Sequence, residues 1–207
     1  MIVTISREYG AAAHAVSRVL APKLGYRLVD DELPRAVASR LGTTTDVVES
    51  VENRSPGFGE RVLARLSAAL PELTQPSEEP VDDMSAGYRR EIERLVHEAA
   101  REGNVVIVGR IANAILGARP DVVRVFLYAP LAWRIEHVQA SLDTTPEHAR
   151  LEIERIDAAR RAYAQEQYRM TWGDVAHYDL LLDTARYGID GTADCIAAAV
   201  RAASENA

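Results

Sequence analysis

A chain of 207 residues, 47% of them hydrophobic, is long enough for one buried core carrying a smaller insertion and requires no second domain. A formal net charge of −7 excludes a surface devoted to nucleic acid or anionic lipid, since both demand excess positive charge. The lone Cys195 excludes an internal disulfide, no Cys/His group has zinc spacing, and neither an export signal nor a membrane-length apolar run occurs, so a soluble cytoplasmic protein with no metal-ligand set is expected.

Ile2-Val3-Thr4-Ile5-Ser6 is apolar and β-branched and stops at charge, which predicts a strand buried on both faces at the centre of a sheet. Ala12, Val16, Val19, Leu20 and Leu24 recur at helical spacing, predicting a helix from Ala11 to Leu24 that ends at Gly25. Tyr26 to Val29 reads as a second strand. The acids Asp30-Asp31-Glu32 would open a helix running through Leu41.

Residues 43 to 84 carry two modest helical patterns and then Pro71, Pro76 and Pro80 among Glu, Asp and Ser, the composition of an insertion with a mobile last part. Ser85 is the expected cap of an amphipathic helix to Glu102. Val105 to Val108 predicts a third strand whose tip, Gly109-Arg110, would meet a ligand. A strand over Val122 to Tyr128 and a helix from Pro130 to Ala140 follow. Thr145-Pro146-Glu147 opens a long helix toward Tyr168 with cap, first-turn proline and early acid in the preferred order. Tyr178 to Leu182 makes the last strand and Thr192 to Ala203 the last helix. Strands alternating with helices imply an α/β protein, a mostly parallel sheet covered on both faces.

The first strand, turn and helix would aim backbone N–H groups and a positive helix end at an anion. A full P-loop adds flanking glycines, a lysine for the outer phosphates and a hydroxyl for magnesium. Here the segment is Ser6-Arg7-Glu8-Tyr9-Gly10-Ala11-Ala12-Ala13-His14. One glycine survives and no lysine follows; the chain's only lysine, Lys23, lies well along the helix. The turn by itself has two readings, an anion nest or an ordinary turn of some other parallel-sheet protein.

Ile2 to Gly10 resembles the opening of the cytidylate kinase-like family, I-S-R-E-[FY]-G-S-G-G. Leu24-Gly25-Tyr26 with Val29-Asp30-Asp31-Glu32-Leu33, then Val106-Ile107-Val108-Gly109-Arg110-Ile111-Ala112, then Val125 to Pro130 with Arg134-Ile135, and Asp157 to Tyr163 with Trp172 and Tyr178-Asp179-Leu180, are similar to later segments of that family, in the same order. The resemblance covers most of the chain outside 43 to 84. It implies a three-layer P-loop kinase-like fold with a five-stranded sheet of order 2-3-1-4-5, a nucleoside-monophosphate-binding insertion at 43–84 and a lid at 145–170. It also implies phosphoryl transfer from ATP, with Mg²⁺, to a nucleoside monophosphate or other small phosphorylated acceptor. A homodimer stays open.

Where the family has Ser-Gly-Gly, Ala11-Ala12-Ala13 add methyl groups that are expected to narrow the phosphate nest and to resist positive φ. Donor phosphates are therefore assigned to Gly10, Ala11, Ala12, Ala13 and His14, with His14 either meeting a phosphate or standing exposed. Arg7 either binds substrate or pairs with Glu8 or the lid. Asp30 either orients an acceptor hydroxyl or caps the following helix. Arg110 is the acceptor-phosphate ligand, since a guanidinium grips an oxyanion bidentately. Arg155, Arg160 and Arg161 share two helical turns with Asp157. They either close over transferring phosphate or form an ion-paired face. In the family the residue after Arg110 is an aspartate; Ile111 stands in its place here and weakens the case for cytosine or ribose recognition. The rival to a kinase is a non-catalytic member of the fold that binds a nucleotide, another anion or a protein.

Overall fold

The computed structural model describes residues 1–30 and 81–206; the helix expected after Asp30 and residues 43–80 lie outside the described residues. Five strands, β1 (Ile2–Arg7), β2 (Arg27–Val29), β3 (Val105–Val108), β4 (Val122–Tyr128) and β5 (Leu180–Asp183), form one sheet in the order β2-β3-β1-β4-β5. Every pairing is parallel, with Ile2 opposite both Val105 and Val122. This is the order that the family resemblance implies.

The α-helices among the described residues are α1 (Ala13–Leu24), α2 (Val81–Glu102), α3 (Ala112–Leu116), α4 (Leu131–Leu142), α5 (Pro146–Tyr168) and α6 (Thr184–Glu205). The two-residue period of the strands divides the core into two layers. Ile2, Val105 and Ile107 face α2, whose Ile92, Val96 and Ala99 are buried against them. Val3, Ile5, Val106, Val108, Val125 and Leu127 face the other way, toward Val16 and Leu20 of α1 and Ile196 and Val200 of α6. Each such side chain contributes about 1.5–3 kcal/mol on burial, which is why the apolar runs resolve into strands and the 3.6-residue patterns into helices.

Several boundaries move. The helix α1 begins at Ala13, two residues later than its periodicity predicts, because Ala12 is left-handed. The helix α2 is already formed at Val81, so Ser85 lies in its second turn and is not its cap, and the last four residues of the 43–84 segment are helical. The helix α6 begins at Thr184 because the Asp183 carboxylate accepts from the N–H groups of Ala185 (3.0 Å) and Arg186 (3.3 Å); it is interrupted at Gly188 (φ 68°, ψ 176°) before continuing. The expected Thr145 cap is present, accepting from His148 N at 3.2 Å.

The strand β5 starts at Leu180, with Asp179 acting as a latch before it. The Asp179 carboxylate accepts from Arg124 N (2.8 Å), Nε (3.1 Å) and Nη2 (2.6 Å). Burial works against its ionisation, but these bonds and the Arg124 charge outweigh burial and lower the Asp179 pKa. Because the folded value lies below the unfolded one, the latch stabilises above about pH 4 and is lost as pH falls through the folded value. Denaturant titrations at pH 2 to 5 are expected to show a shallower acid limb for Asp179→Asn than for the parent.

Candidate active site

The strand β1 ends at Arg7, and the turn that follows is held from several sides. Glu8 N–H donates to Leu127 O at 2.9 Å and Ala11 N–H to Glu8 O at 3.2 Å. Gly10 has φ +83°, and a Cβ there would lie 2.9 Å from Val138 Cγ2 and 3.1 Å from Arg134 O, so only glycine lets the turn lie against α4. Ala12 takes φ 52°, ψ 23° at the N-cap of α1, and no side chain caps the helix. The methyls of Ala11 and Ala13, 1% and 4% exposed, join the core beneath. Of the three alanines, then, two turn their side chains inward, and Ala12 accepts the left-handed conformation that its Cβ disfavours. The expectation that all three crowd the nest is corrected on both points. A cleft of about 380 Å³ opens in front, lined by the turn from Arg7 to Ala15, by His137, Val138 and Ser141 of α4, and by Arg160 and Ile189.

Arginines stand around this edge. The Arg7 guanidinium packs against Gly109, where a Cβ would fall 1.9 Å from Nη1. Gly109, Arg110 and Ile111 have successive φ values of 77°, 58° and 50°, a left-handed run that ends β3 and starts α3. Arg160 donates from Nη1 to Arg7 O at 3.0 Å and sits 5.7 Å from the centre of the Tyr9 ring. Burial first, then the neighbouring Arg7 charge and more weakly that of Arg110, push the Arg160 pKa down to about 9, against the opposing pull of Asp157 and Tyr9. The structure thus brings Arg7, Arg110 and Arg160 within electrostatic reach of one another. Arg155 and Arg161 are exposed. Arg155 pairs with Glu152 through Nε at 2.9 Å, and Arg161 acts on Glu8 only through its charge.

His14, in the first turn of α1, contacts Asp30 at the end of β2 through Nδ1 and Oδ2. Neither group stands alone at the cleft. Lys23 pairs with Asp194 at 2.5 Å and takes no part. The turn offers magnesium no hydroxyl: Ser17 Oγ donates to His14 O at 2.9 Å, and Ser6 Oγ donates to Asn113 Oδ1 at 3.2 Å. Among the described residues no group of three or more His, Cys, Asp or Glu side chains is placed to hold a metal ion. The loop therefore does not fit a protein-held Mg²⁺.

Asp157 stands beside one of the arginines, as expected, with Oδ1 3.9 Å from Arg160 Nη1, but it faces inward. It is 4% exposed, bonded to Arg134 Nη1 at 2.6 Å, and accepts the Tyr9 N–H at 2.8 Å. Arg134 itself is 8% exposed and also donates to Tyr9 O (3.2 Å) and Ala129 O (3.1 Å). Its Nε is 3.3 Å from Glu8 Oε2, which accepts in turn from Ala129 N–H at 3.3 Å. Burial raises the Glu8 pKa, and Arg134 opposes that rise. Sequence reasoning passed over Arg134. The available signal was an arginine four residues before Val138 on the apolar stripe of α4, a position a solvated charge would not occupy.

Residues 2–186 match the cytidylate kinase-like family. The chain is 27% identical over 204 residues to a cytidylate kinase of Halobacterium salinarum, an alignment covering 98% of this chain and 90% of that one. It is 33% identical over 118 residues to a cytidylate kinase of Methanopyrus kandleri, covering 53% and 61% respectively. Among solved structures, an uncharacterized protein from Eubacterium ventriosum superposes with a TM-score of 0.66 at 20% identity, over 97% of this chain and 98% of that one. A shikimate kinase from Acinetobacter baumannii, in complex with shikimate, superposes at 0.53 and 12% identity, over 97% and 93%. Both structural likenesses concern the fold.

The backbone of the turn supports a stability test. Ala12→Gly removes a left-handed Cβ penalty of about 1 kcal/mol, partly offset by unfolded-chain entropy, and is expected to leave stability unchanged or raised. Gly10→Ala drives a methyl into Val138 and Arg134 and is expected to cost at least about 2 kcal/mol. Urea denaturation of the two variants measures the contrast.

Proposed function

Because the chain belongs to the cytidylate kinase-like family, we propose that it transfers a phosphoryl group from ATP to a nucleoside monophosphate or comparable small acceptor in the cytoplasm. The observation that supports this is the first turn of α1, which has no side-chain cap and opens on a cleft walled by Arg7 and Arg160. Orphan N–H groups at a helix start attract an anion, and two guanidiniums beside them supply the charge that a P-loop lysine would bring.

In this reading the amides from Gly10 to His14 hold the donor phosphates. Arg7 and Arg160 neutralise the oxygens that gain charge during transfer, and Arg110, at the tip of the neighbouring strand, takes the acceptor phosphate. Asp30 orients the attacking group, with His14 fixing the carboxylate. Arg155 and Arg161 approach only if α5 moves inward. No step is assigned to magnesium. Among the described residues no helix is long and apolar enough to cross a membrane.

Turnover across the common nucleoside monophosphates, followed by coupled ADP production, tests the reading. Arg160→Gln and Arg110→Ala are each expected to lower kcat/KM by about 100-fold or more. Absence of turnover together with absence of an ATP-induced melting shift would overturn it. Affinity for ATP is expected to hold at neutral pH and to fall as pH rises through about 9, where Arg160 loses its proton. A bound anion raises that pKa, so the loss begins at the value of the free protein. The Arg160→Gln variant lacks this limb.

A further inference from the structure

The peptide units around Tyr9 are gripped at two points by one buried ion pair. Asp157 Oδ1 accepts the Tyr9 N–H at 2.8 Å, and Arg134 Nη1 donates to the Tyr9 carbonyl at 3.2 Å, while Arg134 and Asp157 bond to each other at 2.6 Å. The two side chains come from different helices, α4 and α5, and the residue they hold immediately precedes Gly10. Arg134 is anchored in turn by Ala129 O and by Glu8, a residue of the same turn. One turn beyond Asp157, Arg160 grips the same segment again at Arg7 O.

We infer that the Arg134–Asp157 pair is a positioning device for the anion nest: it fixes the Tyr9 backbone so that the Gly10–Ala12 turn is preformed, and it ties helix α5 to that turn. This rests on the reading that the cleft takes phosphate, and it goes further by assigning the nest's shape to two residues that touch no ligand. The need for such a device follows from the loop. Glycines would let the turn adopt positive φ without resistance, whereas Ala12 adopts φ 52° against a steric preference and needs its neighbours to hold it there. An ion pair that bonds both the N–H and the C=O of one residue removes freedom from the φ, ψ pair on either side. The coupling also runs toward α5. That helix places Arg160 at the cleft, so a shift of α5 away from the turn breaks the Tyr9 and Arg7 bonds together.

A buried ion pair can also serve as packing alone, and the experiment has to separate the two roles. Replacing both partners, Arg134→Met with Asp157→Leu, removes the charges and keeps the volume, a change that often leaves global stability equal or higher. Hydrogen exchange of backbone amides in the unliganded full chain is read by NMR, alongside pyrophosphate affinity by calorimetry. Exchange at Tyr9 through His14 is expected to speed by tenfold or more while β3 and α6 keep their protection. Pyrophosphate affinity is expected to fall about tenfold. Asp157→Asn, which retains an acceptor for Tyr9 N–H but not the charge, is expected to fall between. Parental exchange at Tyr9–His14 in the double variant would overturn the assignment, whatever its melting temperature. If the parent itself binds no pyrophosphate, the phosphate reading fails, and the exchange measurement still decides the role of the pair.

Discussion

Five strands running in one direction deliver every strand-to-helix turn to the same edge of the sheet, and everything proposed for this chain happens there. Arg7 ends β1, and Asp30 and Arg110 follow β2 and β3, the three strands that are neighbours in the order β2-β3-β1. Residues 7, 30 and 110 are far apart in the chain, yet adjacency in the sheet puts their turns side by side, as open parallel sheets do with ligand-binding groups. The central position of β1 depends on burial on both faces, so a strand buried from Ile2 to Ser6 is the condition for the site as much as for stability.

The second constraint is the shortage of lysine. With Lys23 committed to Asp194, positive charge at the cleft comes from guanidiniums, and guanidiniums differ from an ammonium in what they require. An ammonium on a flexible stem can follow a phosphate, whereas a planar fork must be held in orientation. Arg160 is so held, by Arg7 O and the Tyr9 ring, and Arg7 packs closely against Gly109. Replacing one mobile cation with several fixed ones shifts the burden from the ligand-binding residues to the scaffold beneath them. The Arg134–Asp157 pair belongs to that scaffold, which explains why these two charged side chains, alone among the described residues, are buried.

Much of the fold was legible because it rests on periodicities. The unbroken apolar run Val105–Val108 and the stripe Val16–Leu20–Leu24 have one satisfactory burial each. What was not legible depended on partners distant in sequence. Asp157 reads as one of a cluster of charges on a helix, and nothing in residues 155–161 says that it turns inward to a peptide at Tyr9 while Arg155 and Arg161 turn out. Arg134 reads as the exit of a strand. The start of α6 was missed: the helix was expected only from Thr192, beyond Gly188, although it begins at Thr184, capped by Asp183. Ala11 and Ala13 were read as obstructions, since a sequence shows that a Cβ exists without showing which way it points.

Backbone strain is distributed unevenly, and its distribution bears on where the chemistry lies. Asn104 and Asp143 have positive φ, but their side chains tolerate it, and Arg169 does so as the terminal cap of α5. Ala12, Arg110 and Ile111 have no such excuse, and Ile111, β-branched, is the least suited of all. These three stand at the carboxyl edge of the sheet, on the turns after β1 and β3. Strain that persists at a stated location has to be held by what surrounds it, and the surroundings here are identifiable: Gly109 and Arg7 for one turn, Tyr9 with its buried ion pair for the other. A site written with Ala11-Ala12-Ala13 holds a left-handed turn and places the cost of maintaining it in buried side chains beneath the cleft.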